Sequence, residues 1–259
     1  MDLGLQGKKA IVCASSKGLG RGCAMALARE GVALVINGRN AENLSRTADV
    51  IGKETGVEVT PVAADLDQAE GRAALLAACP NPDILVNNNG GPPPGNFRDW
   101  GDAEWNAGLC ANLRTPTELI KATVDGMVER GFGRIVNITS IAVQMPFPGL
   151  AMSSAARSAL TALVASVSRE VAKHNVAINN LQPGLFATDR LVGGMEGVAK
   201  ATGRTVEETR AGMLANIPAA RFGDPDEFGH ACAFLCSARS GFITGQNLLL
   251  DGGHFSGAF

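Results

Sequence analysis

The sequence predicts an α/β fold: a doubly wound parallel sheet of about seven strands with helices on both faces, in three layers. Short apolar runs alternate with longer segments of helical period, strand then helix, six times over. Of the 259 residues, 46% are hydrophobic and 19% charged, which suits a large buried core and is the reverse of a disordered composition. Ala and Gly are abundant and aromatics make up only 5%, as close packing of helices on a sheet favours.

The first strand is "KAIVCA" (9–14). In "LGRGCAMALARE" (19–30) the apolar residues recur at intervals of three and four, so a helix follows. The same reading gives strand "VALVING" (32–38) and helix "AENLSRTADVIGKE" (41–54), then strand "VEVTPVAA" (57–64) and helix "QAEGRAALLAAC" (68–79). "DILVNN" (83–88) is the fourth strand, and "AEWNAGLCANLRTPTELIKATVDGMVERG" (103–131) a long helical stretch. "GRIVNITS" (133–140) precedes the long helix "SSAARSALTALVASVSREVAKH" (153–174). "VAINNLQP" (176–183) is the sixth strand, and a helix near 225–237 leads to the last, "NLLLDGG" (247–253). Such a series implies right-handed crossovers.

Residues 1–259 read as one domain, with no linker, low-complexity tract or fixed repeat. The rhythm breaks only at 185–222, a Gly-rich stretch with one short helix. Ligands of open α/β sheets sit at the carboxyl ends of the strands, so this insertion is expected to be a substrate lid; a plain surface loop is the alternative. A net charge of −2 with both signs dispersed gives no footprint for nucleic acid or an anionic membrane. Cys13, Cys23, Cys79, Cys110, Cys232 and Cys236 lack metal-ligand spacing and read as buried thiols of a reducing compartment. The N-terminus has no signal-peptide core and no apolar run reaches membrane-spanning length, so a soluble, cytoplasmic protein is expected.

The turn after the first strand reads "CASSKGLGRG". Gly18 and Gly20 open a helix whose free N–H groups and dipole favour a pyrophosphate. Ala14 stands where the usual fingerprint has its first glycine, a departure compatible with a tight turn if φ stays negative. The second strand ends "INGRN", with Asn37, Gly38 and Arg39 where an acidic residue would bind the ribose of NAD. Arg39 and Lys17 together suit a 2′-phosphate, hence NADP in preference to NAD; two solvated surface bases are the alternative.

These motifs make the chain resemble the short-chain dehydrogenase/reductase family, and within it the 3-oxoacyl-carrier-protein-reductase-like branch. The resemblance covers nearly the whole chain and implies a Rossmann-type fold. "SSKGLG", from Ser16 through Lys17, Gly18, Leu19 and Gly20, resembles the cofactor turn, and "AADLD" puts Asp65 and Leu66 where that family holds adenine. "DILVNNNGG" resembles the Asn-Asn-Ala-Gly segment, with Asn88 and Gly90 matching and Asn89 in place of alanine. Asn112 and Ser140 correspond to the asparagine and serine of the catalytic tetrad. "NNLQPGLFATD" resembles the segment bordering the nicotinamide, which implies Pro183 and Gly184 there and Thr188 on the carboxamide. "RFGDPDEF" and "ITGQNLLLDGG" resemble the C-terminal signatures. The resemblance also implies a homotetramer built through the helices around 103–131 and 150–174.

One stretch departs. The family's tyrosine lies thirteen residues after the serine and its lysine four later, which here are Ser153 and Arg157, and the chain has no tyrosine at all. The spacing keeps both on one helix face toward Ser140. The phenol, of unperturbed pKa about 10, is thus replaced by a far weaker acid, and Arg157, expected to stay above about 12, cannot relay a proton. Arg157 could anchor the nicotinamide ribose or stabilise a developing alkoxide, while Ser153 could pass a proton between substrate and water. His174 and His230 fall away from the site by position, and His254 reaches it only through the C-terminal tail. Three readings follow: an NADP-dependent oxidoreductase with an atypical site for a small carbonyl or alcohol, an NADP-binding sensor, scaffold or partner subunit without reductase chemistry, and a lyase or isomerase using the same pocket.

Overall fold

The seven strands are β1 (Lys9–Val12), β2 (Ala33–Gly38), β3 (Val59–Ala63), β4 (Ile84–Asn87), β5 (Gly133–Ile138), β6 (Val176–Pro183) and β7 (Asn247–Leu250). They pair in parallel in the order β3-β2-β1-β4-β5-β6-β7. The computed structural model describes residues 1–257. Alternate strand residues feed two cores, as the two-residue period requires. Ala10, Val12, Leu34, Ile36, Val86 and Val136 pack with α1 (Gly18–Arg29), α2 (Ala41–Thr55) and α9 (Pro225–Cys236). Ile11, Val35, Leu85, Ile135 and Ile178 pack with α3 (Ala69–Ala78), α5 (Thr115–Arg130) and α6 (Ala151–Val171) on the other face.

Local signals fix the helix ends. Asn40 caps α2 through Asn43 N at 2.8 Å, and the helix closes on Gly56 in the left-handed region. Asp224 and Glu227 form a capping box at α9, with Pro225 in its first turn. Helices α1 and α9 interlock because neither can carry a side chain where they cross. A Cβ on Gly22 would lie 2.3 Å from Pro225 O, and one on Gly229 would lie 2.3 Å from Gly22 O. Cys23, Cys232 and Cys236 are buried in this contact layer. At the opposite end of the sheet from the phosphate turn, fully buried Arg134 donates to Ser237 O, Gly133 O, Asn175 O and Asn175 Oδ1 and ties β5 to the approach to β7.

Two segments differ from the sequence reading. The stretch 103–131 is not one helix: α4 (Asp102–Leu109) and α5 are joined by a π-helical turn, Cys110–Arg114. The apolar period continues through the turn, so it hides the wider backbone coil that changes the register by one residue. The 185–222 insertion holds two helices, α7 (Asp189–Thr202) and α8 (Val206–Leu214), because Gly203 ends the first and a Thr205–Glu208 capping box starts the second. Among the described residues no helix is long and apolar enough to cross a membrane.

Candidate active site

The strand order reverses between β1 and β4, which opens a crevice at their carboxyl ends. The turn from β1 into α1 lines it. Ala14 N donates to Asn37 Oδ1 at 3.4 Å, and Ser15 N to Asn37 O at 2.7 Å, stitching the turn to β2. Ala14 has φ +44°, in the left-handed region, contrary to the expectation of a negative φ. The chain must reverse within one residue so that α1 starts over the strand, and that geometry holds whether or not a Cβ is present. Gly20 has no such latitude, since a Cβ there would lie 2.3 Å from Ala14 O and 3.0 Å from Asn88 Nδ2. Asn88 in turn donates to Ala14 O at 3.2 Å, joining the turn to the end of β4.

This turn fits the pyrophosphate of a dinucleotide. No side chain caps α1, no acidic residue lies in its first turn, and Gly18 adopts φ +58° to present the backbone. Ser16 holds the turn from behind, its carbonyl accepting from Thr47 Oγ1 at 2.8 Å, while Leu19 packs partly into the core. Thr188, the N-cap of α7, lies across the turn, its methyl 3.5 Å from where a Cβ on Gly18 would sit. Pro183 ends β6, and Gly184 abuts Asp251, so closely that a Cβ would lie 2.8 Å from Asp251 Cα.

Lys17 and Arg39 do not behave as one pair. Lys17 Nζ lies 3.2 Å from Asp189 Oδ2 at the start of α7, an exposed ion pair. Arg39 lines a cavity of about 390 Å³ together with Asp67, Asn89, Gly90, Trp100, Glu104 and Met152. Asp65 is exposed and turns its carboxylate onto Asp67 N, whereas Leu66 is buried beneath it. Asp67 is the residue that motif reading overlooks. Its Oδ1 accepts from Asn89 Nδ2 at 2.8 Å and from Thr115 Oγ1 at 2.9 Å, which gives the unusual Asn89 a structural partner. The only sequence signal was Asn89 itself, an amide where the resembling motif has alanine.

Asn112 sits in the π-helical turn, buried, with its amide donating to Gly108 O at 3.3 Å and Gly90 O at 3.5 Å. Ser140 follows β5, and its Oγ accepts from Ala142 N at 3.0 Å, opening a short 3₁₀ turn against which α6 packs. On α6, Arg157 Nε donates to Ser153 Oγ at 3.3 Å, so the two do share a face. Arg157 Nη1 donates to Ile138 O at 2.6 Å, two residues before Ser140. Arg157 and Asn112, with Asn87, Asn88, Asn89 and Ile138, line a small cavity of about 20 Å³. That is room for one water, and Asn87 Oδ1 is a buried acceptor without a protein partner.

Burial, with Arg190 nearby as a second cation, pushes the Arg157 guanidinium down to about 10, below the value expected from sequence. It remains charged at neutral pH. Among the described residues no carboxylate lies within salt-bridge distance of it. Arg190, in the first turn of α7, reaches across to Gly91, where a Cβ would meet its Nη2 at 2.7 Å. Cys13, at the end of β1, is pushed up to about 12 by burial and stays a thiol. His174 and His230 are exposed and remote in the fold, while His254 packs on Phe147 with ring centroids 6.0 Å apart and its Nδ1 buried without a partner.

Residues 13–254 match the family model described as Enoyl-(Acyl carrier protein) reductase. The chain is similar to the 3-oxoacyl-[acyl-carrier-protein] reductase FabG of Vibrio harveyi, 31% identical over 98% of this chain and 99% of the relative. It is similar too to the NADPH-dependent reductase BacG of Bacillus subtilis (strain 168), 30% identical over 95% and 97%. Among solved structures, L-sorbose reductase from Gluconobacter frateurii, complexed with NADPH and L-sorbose, superposes with a TM-score of 0.93 at 28% identity, covering 99% of this chain and 100% of that one. With the sheet order, the uncapped phosphate turn and these relatives agreeing along the whole length, the chain belongs to the short-chain dehydrogenase/reductase family of oxidoreductases.

Proposed function

We propose that the protein reduces a carbonyl group with NADPH, using Asn112, Ser140, Ser153 and Arg157 in place of the usual Ser-Tyr-Lys arrangement. The observation that carries this is the buried, charged Arg157, beside which no carboxylate lies among the described residues. An uncompensated buried cation is costly unless it meets negative charge, and reduction develops that charge on the carbonyl oxygen. NADPH, when bound, supplies the hydride. The turn at Ser16–Gly20 would hold its phosphates, Arg39 would meet its 2′-phosphate, and Asp65, Leu66, Asn88 and Gly90 would flank its adenosine half. Pro183, Gly184 and Thr188 would border the nicotinamide. Ser140 and Ser153 offer hydroxyl protons to the carbonyl oxygen, Arg157 steadies the alkoxide, and Asn112 holds the water that replaces the proton.

The NADPH named for the similar reductases supports the choice of cofactor. We further read 185–222 as a substrate lid, the assembly as a homotetramer through α4, α5 and α6, and the compartment as the reducing cytoplasm, which suits six free thiols. The test is NADPH oxidation with a panel of activated aldehydes and ketones, alongside calorimetric NADPH binding. Arg157→Met should lose about 100-fold in kcat with cofactor binding retained, since it removes charge stabilisation at the reacting oxygen. Tight NADPH binding with no oxidation on any carbonyl would favour a nucleotide-binding protein without reductase chemistry.

A further inference from the structure

A second cavity, of about 640 Å³, lies beside the proposed site. One wall is the loop after β4, with Pro94, Gly95, Phe97 and Trp100. The other is the connection from Ser140 to Ser153, through Phe147, Pro148, Gly149 and Ala151. The two walls are tied together where Gly95 N donates to Gly149 O at 3.0 Å. Trp100 also lines the cavity that holds Arg39 and Gly90, so it is a shared partition between the cofactor region and this one. Its ring is braced edge-on by Trp105 at 5.8 Å between centroids.

The chemistry of the lining is one-sided. Among the lining side chains only Asn96 and the indole N–H of Trp100 are polar, and Asn96 Oδ1 already accepts from Arg98 N at 3.1 Å. The backbone groups that tie the walls are engaged with each other. A polyhydroxylated ketone placed here would find protein partners for few of its hydroxyls, whereas an aromatic ring would meet ring faces and edges. We infer that the substrate is an aryl or other bulky apolar ketone, whose ring sits between Phe97, Trp100 and Phe147 while its carbonyl reaches Ser153. This rests on the reductase reading for the carbonyl end and on the cavity alone for the ring.

The experiment compares 2-tetralone with fructose as substrates in the presence of NADPH, and measures binding of 2-naphthol, which has no reducible carbonyl, to the NADPH-loaded protein by calorimetry. The expected result is a kcat/KM for 2-tetralone at least about 100-fold above that for fructose, with saturable naphthol binding. Phe147→Ala and, at the exposed rim, Phe97→Ser should each raise the KM for 2-tetralone roughly tenfold and weaken naphthol to match, as expected for lost ring contacts. Naphthol binding that both variants weaken, without turnover of any ketone, would uphold the aromatic cavity and remove the reductase reading. Efficient fructose reduction with no naphthol binding would overturn the cavity assignment and leave that reading intact. Variants that change the oligomer mass by light scattering but not naphthol affinity would also overturn it, making these rings a contact between subunits.

Discussion

Arg157 donates to Ser153 Oγ at 3.3 Å, one helical turn before it on α6, and to Ile138 O at 2.6 Å on β5. The guanidinium is therefore fixed between helix and strand independently of any substrate. Restoring a phenol and an ammonium at these two positions should restore a positioned acid. Ser153→Tyr with Arg157→Lys should raise NADPH-dependent carbonyl reduction by about 100-fold or more, the usual contribution of general acid catalysis. Each single change should do less, because the phenol needs the neighbouring ammonium to lower its pKa. A folded double variant that binds NADPH normally and gains no activity would contradict the proposed mechanism.

At the end of β2, where an acidic residue would bind the ribose of NAD, the chain has Asn37, Gly38 and Arg39, and Arg39 lines the crevice cavity, so NADPH should bind more tightly than NADH. Arg39→Asp should reverse that preference by about tenfold or more, as loss of a charge-assisted contact and gain of a ribose acceptor imply. Calorimetry on both cofactors decides it, and equal affinities in the unmodified protein would count against the assignment.

Lys17 is held by Asp189 in an exposed pair, and such pairs contribute about 0–1 kcal/mol. Asp189→Asn should free the ammonium for the 2′-phosphate. Tighter NADPH binding by a few fold, with NADH unchanged, would follow. Equal tightening of both cofactors would put Lys17 on the pyrophosphate instead.

Ala14 carries a Cβ at φ +44°, where an L-residue loses about 1–2 kcal/mol. Ala14→Gly should raise the unfolding midpoint by roughly 2–4 °C, after the extra chain entropy of glycine is subtracted. Gly20→Ala should do the opposite and weaken the cofactor too, because its Cβ has no space beside Ala14 O.

Glu227 is held down to about 2, first by its hydrogen bonds with Arg221 and then by Asp224 N. A carboxylate whose folded pKa is depressed stabilises the fold above its unfolded value, 4.5, and that contribution disappears as pH falls toward 2. Glu227→Gln should therefore lower the melting temperature at pH 7 and leave it nearly unchanged at pH 2. An equal loss at both values would mean that the side chain acts only through packing and its neutral cap.

The sheet was legible because its central parallel strands, buried on both faces, read as apolar runs, and each helix shows its three-and-four spacing. The phosphate turn was legible because glycines are placed where helix and strand meet. What escaped was non-local. Nothing near Asp67 in sequence indicates that Asn89 and Thr115 converge on its carboxylate. Lys17 and Asp189 lie 172 positions apart, so their pairing depends on how α7 folds back over the turn. The depression of Arg157 likewise arises from burial and from Arg190, neither of which its helix encodes.

The π-helical turn at Cys110–Arg114 makes chain length itself a functional variable. Removing one residue there, Ala111 for example, would let 102–130 close as a single regular helix. Everything beyond the cut would keep its place, because a π turn absorbs one extra residue without turning the helix that follows it. Only the turn itself would tighten, and Asn112 would leave Gly90. Substitutions in this turn can be judged one side chain at a time, but a deletion would withdraw the asparagine from the crevice while leaving every address downstream intact.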